Sequence, residues 1–253
     1  MSKFLYANDT SATYPQSWYA ETSPNLKLRP SLESDLSCDV CVIGAGVTGL
    51  SSALYLAQKG FNVIVLDAHR VGFGASGRNG GQVGSGWNQG QQKLEKQLGQ
   101  DAAHRLWEMT QDAKSLTRDL VNQFAPEAGY NTGVAEACFS DKEKINSHAM
   151  ASYLEKNYNY NEIECLNKSS LRGVIKSEAY SGGVIDWGAG HLHPLLYALG
   201  LAKAAEAAGA VLYEASLVQE VKNGSPNLVK TARGDVKADY VIHATNGYHT
   251  NLN

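Results

Sequence analysis

The sequence predicts an α/β fold: a parallel sheet covered by helices, interleaved with a second, incomplete α+β part. Three observations predict it. Residues 39–67 read as strand, turn, helix, strand: CDVCVIGAG, then apolar positions at helical spacing (Leu50, Ala53, Leu54, Ala57), then FNVIVLD. Val63–Leu66 is apolar without alternation, as a strand covered on both faces must be, and such strands belong to parallel sheets. After a long stretch of different character, the chain returns at Pro194 to an alanine-rich helical run and then to the apolar run Val236–His243.

Bulk properties narrow the field. The 253 residues are 43% hydrophobic and 19% charged, which excludes disorder throughout and fibrous repeats. A formal charge of −3 gives no overall electrostatic attraction to nucleic acid or to an anionic membrane. The N-terminal stretch has neither a signal-peptide core nor a span, and no later run reaches the roughly 18 apolar residues a membrane helix needs. The expectation is a cytoplasmic protein with four reduced cysteines and no nucleic-acid or membrane partner.

Residues 1–36 carry Pro15, Pro24 and Pro30 without a sustained period and read as an arm lying over the fold, with Tyr14, Trp18 and Tyr19 expected to pack. The first helix ends at Gly60. Leu106, Met109, Ala113, Leu116, Leu120 and Phe124 recur at steps of three and four, a long amphipathic helix. Strands are expected near Gly133–Phe139 and Gly182–Asp186, with a polar helix at Asp141–Tyr158 between them. Pro194 opens a helix that runs to Ala208, with Gly209 just past its end. Val211–Glu214, Leu217–Lys222, Leu228–Ala232 and Val236–His243 follow as strands, with turns at Asn223-Gly224 and Arg233–Asp235. The expected domains are therefore 37–90 with 190–253, interrupted by 91–189, after an arm at 1–36.

Gly44, Gly46 and Gly49 spell G-x-G-x-x-G directly after one strand and at the start of a helix. The first glycine allows the turn, the second lets the backbone approach a pyrophosphate, and the third lets helix and strand pack closely. The helix N-terminus offers free amides and a positive dipole end to phosphates. Asp67 ends the second strand, where a carboxylate accepts from the hydroxyls of an adenosine ribose. The fold is thus of the Rossmann type. The fingerprint alone does not separate NAD from FAD; the next segment favours FAD. Eight of the 25 glycines lie between Gly72 and Gly90, mixed with Ser76, Arg78, Asn79 and Gln82, a run suited to wrap an extended cofactor where an NAD domain would go on to another helix.

The stretch CDVCVIGAGVTGLSSALYLAQKGFNVIVLDAHRVGFGASGRNGGQ resembles the N-terminal flavin module of the D-amino acid oxidase-like FAD-dependent oxidoreductases, and within them the gamma-glutamylputrescine oxidase branch. GGVIDWGAGHLHPLLYALGLAKAAEAAGAVLYE, LVQEVK and YVIHATNGYHT agree in order and spacing, so the resemblance covers about residues 37–253. It implies that Gly44, Ala45, Gly46, Val47, Thr48 and Gly49 hold the pyrophosphate and that Asp67 and Ala68 hold the ribose. It further implies that Ala75, Ser76, Arg78, Asn79, Gly80, Gly81 and Gln82 line the ribityl chain and flavin ring. Val218 would meet adenine through its backbone, and Ala244, Thr245 and Asn246 would close over the cofactor. The family often has glycine where Asn246 stands. Residues 72–90 hold no histidine of the kind some relatives use for covalent attachment, so non-covalent FAD is expected. The implied activity is oxidation of a small-molecule amine by hydride transfer to flavin, with dioxygen or another acceptor, peroxide as a product, and a place in polyamine catabolism. Oxidation of secondary amines or D-amino acids, and a non-catalytic FAD-binding fragment, are the alternatives. Relatives continue well past the ATNGYHT run, so the chain reads as part of a longer protein or a natural truncation, and no catalytic residue is assigned.

Other signals carry less. Cys38 and Cys41 spell C-x-x-C, but strand residues three apart are expected on opposite faces, so two buried thiols are expected and no metal pair. His191 and His193 have no flanking ligands at metal spacing, and a capping or substrate-domain role is expected. His69, His104, His148, His243 and His249 carry no motif. No G-x-S-x-G, Walker lysine or H-E-x-x-H is present.

Overall fold

A computed structural model describes residues 12–23 and 27–248. The remainder of the arm, His249 and the end of the final run lie outside the described residues. In chain order the elements are α1 (Trp18–Glu21), β1 (Leu36–Ile43), α2 (Val47–Gln58), β2 (Val63–Leu66), β3 (Gln82–Val83), α3 (Gln91–Leu98) and α4 (Gln100–Phe124). Then come β4 (Asn131–Cys138), α5 (Asp141–Tyr158), β5 (Ile163–Asn167), α6 (Lys168–Val174), β6 (Gly182–His191) and α7 (Pro194–Ala207). β7 (Val211–Tyr213), β8 (Glu220–Lys222), β9 (Asn227–Lys230) and β10 (Asp235–His243) follow, with a short 3-10 turn at Asn246–Tyr248.

Two compact units result: Met1–Gly80 with Leu120–Gly129 and His193–Asn253, and Gly81–Asp119 with Tyr130–Leu192. The division differs from the expected boundaries at four places, one being that residues 190–192 stay in the second unit. Residues 81–90 fall in the second unit, because Gln82 and Val83 pair with His191 and Gly190 of β6. Residues 120–129 fall in the first, where a Cβ on Gly200 of α7 would stand 2.4 Å from that of Ala125. The arm is part of the first unit, bound to it by hydrogen bonds and by the buried Leu32.

The first unit is a six-stranded sheet in the order β7-β2-β1-β10-β9-β8. β7, β2, β1 and β10 are parallel, and β10, β9 and β8 antiparallel. Residues 40–43, 63–66 and 240–243 lie side by side, so the α/β reading holds: Ile43 is flanked by Leu66 and His243. All four residues of β2 are buried. α2 buries Gly49, Leu50, Ala53, Leu54 and Ala57 and packs against α7, whose alanines permit the close approach. α7 starts where expected, and His193 caps it: its Nδ1 accepts from the Leu196 amide at 3.2 Å. β8 is shorter than the run from Leu217 suggests: its register with β9 begins at Glu220, opposite Lys230.

Cys38 and Cys41 are free and buried, yet they share one apolar cluster with Ile64, Val218 and Val236, against the expectation of opposite faces. The amides of Asp39 and Val40 both donate to the carbonyl of Asn62, a bulge that breaks the alternation between the two cysteines. Trp18 is also a correction: it is 72% exposed, while Tyr14 and Tyr19 do pack.

In the second unit, β6 pairs antiparallel with β3, β4 and β5. The polar helix α5 lies at Asp141–Tyr158, as expected, and begins with a capping box of Ser140 and Glu143. Between α4 and the sheet sits a buried polar network. Lys114 Nζ donates to Ser85 Oγ (2.7 Å) and Tyr160 Oη (3.1 Å), and both hydroxyls donate to Asp186 (2.6 and 2.5 Å). Asp186 Oδ1 also accepts from the Gly188 and Ala189 amides. The ammonium and the carboxylate are thus joined through hydroxyls, which offsets the cost of taking the charges out of water. Burial lowers the Lys114 pKa.

His104 ties α4 to the end of α5. Its Nδ1 lies 3.0 Å from the Gln100 carbonyl and its Nε2 3.1 Å from that of Asn157, and only the doubly protonated ring donates to both. These two carbonyls raise its pKa, with help from the Glu95 and Glu108 carboxylates. A raised folded value means a contribution fully present below the unfolded value of about 6.5 and lost as pH rises through the folded one. The stability difference between wild type and His104→Ala in urea is therefore expected to be largest at acidic pH. It should shrink as pH rises through the His104 midpoint measured by NMR; a difference independent of pH refutes the assignment.

Candidate functional site

The carboxyl ends of β2, β1 and β10 lie level, and the residues that follow each strand open one cleft inside the first unit. Gly44, Asp67 and Ala244 are the first residues after their strands. Backbone bonds lock them in place: the Gly44 amide to Leu66 O, Asp67 to Tyr213 O, and Ala244 to Ile43 O, at 2.8–2.9 Å. This is where open α/β sheets place a ligand.

The three fingerprint glycines are required by contact. Gly44 has φ +107°, and a Cβ there would stand 2.7 Å from Ala244 O. On Gly46 a Cβ would stand 2.7 Å from Ser76 Oγ, and on Gly49 1.9 Å from Gly44 O. Gly46 also begins α2 without any side-chain cap, which leaves amides of the first turn for an anion. One is engaged: Val47 N donates to Ser76 Oγ at 3.0 Å.

Asp67 holds the turn from both sides. Its Oδ2 accepts from Ala45 N (2.7 Å) and its Oδ1 from His69 N (2.8 Å). Burial raises its pKa, and the two amides oppose the rise. Each oxygen retains a lone pair for a further donor.

Of the residues expected from sequence, Gly44, Ala45, Gly46, Asp67, Ala68, Ala75, Ser76, Val218, Ala244, Thr245 and Asn246 line the cleft. Val47, Thr48 and Gly49 form the first turn of α2 behind it. Arg78 and Asn79 do not line it. Arg78 Nη2 donates to Tyr248 Oη (2.7 Å) and its guanidinium stacks on Phe73 (4.9 Å), while Asn79 Nδ2 donates to Ala75 O and Ser76 O. They hold the turn that carries Ser76. Gly80 is exposed and ends the first unit; Gly81 and Gln82 belong to the second. Asn246 has φ +49°, in the left-handed region that glycine adopts freely and asparagine tolerates, so asparagine suits the position.

Sequence reasoning missed several lining residues: His69, Gly72, Phe73, Gly74, Ser216, Leu217 and Tyr248. Gly72 and Gly74 lay within the glycine-rich run and Ser216 and Leu217 beside Val218, so proximity was the available signal. His69, set aside for want of a motif, stacks on Phe73 with ring centroids 4.1 Å apart. The glycine-shaped floor, the open helix start and a half-buried carboxylate at the end of the adjacent strand fit a dinucleotide cofactor. Among the described residues, no group of three or more His, Cys, Asp or Glu is placed to hold a metal ion, and no helix is long and apolar enough to cross a membrane.

Comparison with known proteins gives concordant results. A family model described as "DAO: FAD dependent oxidoreductase" matches residues 39–253. Gamma-glutamylputrescine oxidoreductase of Escherichia coli K12 is 37% identical over 235 residues, covering 93% of this chain and 55% of that protein. The probable oxidoreductase OrdL of Haemophilus influenzae is 41% identical over 221 residues, covering 87% and 51%. Among solved structures, glycine oxidase from Geobacillus kaustophilus superposes with a TM-score of 0.65 at 22% identity, covering 83% of this chain and 55% of that one. L-amino acid deaminase from Proteus vulgaris, with its specific insertion deleted, gives 0.69 at 16%, covering 89% and 58%. The chain spans about half the length of the curated relatives it matches.

Proposed function

From the premise that this chain belongs to the DAO family of FAD-dependent oxidoreductases, whose cofactor is FAD, we propose that the protein oxidises a primary amine of the gamma-glutamylputrescine type. The observation that carries the reading is the cleft itself: the glycine floor, Asp67 and the Ala244–Asn246 segment meet in one unit. The relative whose name contains that substrate aligns over 93% of the chain. FAD, when bound, supplies the two-electron acceptor for the carbon that bears the amine.

The chain's own residues bind and orient. Gly44–Gly49 and the start of α2 receive the pyrophosphate, where helix amides and dipole favour two negative charges. Asp67, beside Ala68, accepts from the ribose hydroxyls. Ala75 and Ser76 continue along the cofactor, and Arg78 and Asn79 brace that turn. Val218 offers its backbone to adenine, and Ala244, Thr245 and Asn246 close the cleft. The amine arrives neutral, having lost its proton to solvent, so none of these side chains needs to act as a base. The net reaction is amine plus dioxygen plus water to aldehyde, ammonia and hydrogen peroxide.

The test is release of peroxide and ammonia from a panel of gamma-glutamylputrescine, putrescine, sarcosine and D-amino acids. The expected result is turnover of gamma-glutamylputrescine with aldehyde, ammonia and peroxide in equal amounts. Turnover of sarcosine or a D-amino acid with none of the primary amines overturns the substrate. A flavin that stays oxidised anaerobically with every amine overturns the activity.

A further inference from the structure

We infer that the N-terminal arm is a working part of the cofactor cleft: Arg29, through the buried carboxylate of Glu214, and Tyr14, through the Val71 carbonyl, fix the walls of the cleft at the loop Ala68–Gly74 and, with Leu32, at the segment Ser216–Val218. The inference rests on the FAD reading above and adds residues which that reading leaves out.

Glu214 is 1% exposed, and each of its oxygens takes one contact from the arm and one from the loop. Oε1 accepts from Val71 N (2.8 Å) and lies 3.5 Å from Arg29 Nη1; Oε2 accepts from Arg29 N (2.8 Å) and lies 3.5 Å from Arg70 Nε. The carboxylate therefore staples arm to loop. Tyr14 holds the same residue through the next peptide, donating to Val71 O at 2.7 Å beneath the Arg70 guanidinium, 4.6 Å from the ring centroid. The next residue, Gly72, donates to Ala45 O at 2.9 Å. A continuous path thus runs from the arm through Val71 to the glycine floor.

The second wall is held as directly. Leu32 N donates to Ser216 Oγ (2.9 Å), Ser216 Oγ donates to Glu214 O (2.9 Å), and Glu214 N donates to Pro30 O (3.1 Å). Leu32 packs in the apolar cluster that contains Val218. Arg29 is itself anchored outside, by bonds from Nε and Nη2 to Glu206 at 2.6 and 2.9 Å. Buried carboxylates are stable only when their charge and lone pairs are matched. Without the Arg29 guanidinium, Glu214 loses one of its two cationic partners and the arm loses its anchor on Glu206, so the hold on the loop weakens.

The experiment measures FAD and ADP dissociation constants in the purified full chain, well below the melting temperature, for wild type, Arg29→Gln, Tyr14→Phe and a control, Glu33→Gln. Glu33 lies on the exposed side of the arm and pairs with Arg233. Arg29→Gln is expected to weaken FAD about tenfold, roughly 1.4 kcal/mol, and ADP in parallel, because both walls flank the adenosine half. Amide exchange at Ala68–Gly74 and Ser216–Val218 should rise with it, and Glu33→Gln should leave both constants unchanged. Tyr14→Phe removes one hydroxyl and should act in the same direction, which keeps the inference testable if Arg29→Gln does not fold. Unchanged constants in both variants, even with a lowered melting temperature, make the arm merely structural and overturn it. A folded wild type that binds no FAD overturns the FAD reading first, and this inference with it.

Discussion

Gly49→Ala is expected to yield a destabilised protein that retains no flavin on purification. The added Cβ would stand 1.9 Å from the backbone oxygen of Gly44 and 3.2 Å from a Val42 methyl. Neither can yield: Gly44 is fixed by its bond to Leu66 O, and Val42 is fully buried in β1. Helix α2 must therefore lift from β1. Overpacking of this kind costs about 3 kcal/mol or more, which for a chain of this size lowers the melting temperature by roughly 6–12 °C. Lifting the helix also moves its first-turn amides away from the phosphates. Gly60→Ala is the contrast: φ is +87° there, but nothing lies within 4 Å of the added carbon, so only backbone strain of about 1 kcal/mol is incurred. Thermal melts and flavin absorbance of the two variants decide it. Equal melting temperatures would show that the close contact at Gly49 is not what holds strand and helix together.

Asp67→Asn is expected to spare the fold and remove most of the FAD affinity. Both carboxylate oxygens already accept backbone amides, from Ala45 and His69, so the new amide nitrogen must face one of two donors. Leaving one buried amide without its acceptor costs about 1–3 kcal/mol. The variant also offers one acceptor fewer to the ribose hydroxyls. The turn is expected to move off the mismatched carboxamide and carry the ribose site with it, and with the lost acceptor this predicts an FAD dissociation constant raised about 100-fold, roughly 2.7 kcal/mol. Fluorescence titration measures it. A change under threefold would mean that Asp67 only holds the turn and makes no contact with the cofactor.

Much of the first unit could be read from the chain because its signals are local. The unbroken apolar run Val63–Leu66 and the small residues on one face of α2 each imply a partner by type, so the strand-helix-strand order and the parallel sheet followed. Asp141–Tyr158 was legible for the same reason, since its polar character lies within the segment. α3, β5 and α6 escaped notice because they are short and carry few buried residues to impose a period. The opposite-face expectation for Cys38 and Cys41 failed because a bulge is set by the neighbouring strand's Asn62 carbonyl, not by the two cysteines.

By itself, the sequence determined where the cleft begins. Gly44, Gly46, Gly49 and Asp67 are constrained by backbone geometry and by charge at the ends of two adjacent strands, and both constraints are written in residue type and spacing. Only the tertiary structure decided what completes the cleft. Glu214 lies 185 residues from Arg29 and 143 from Val71, and His69 gains its place through a stack on Phe73. A buried carboxylate finds its partners wherever folding brings donors within reach, and no periodicity along the chain records which donors those will be.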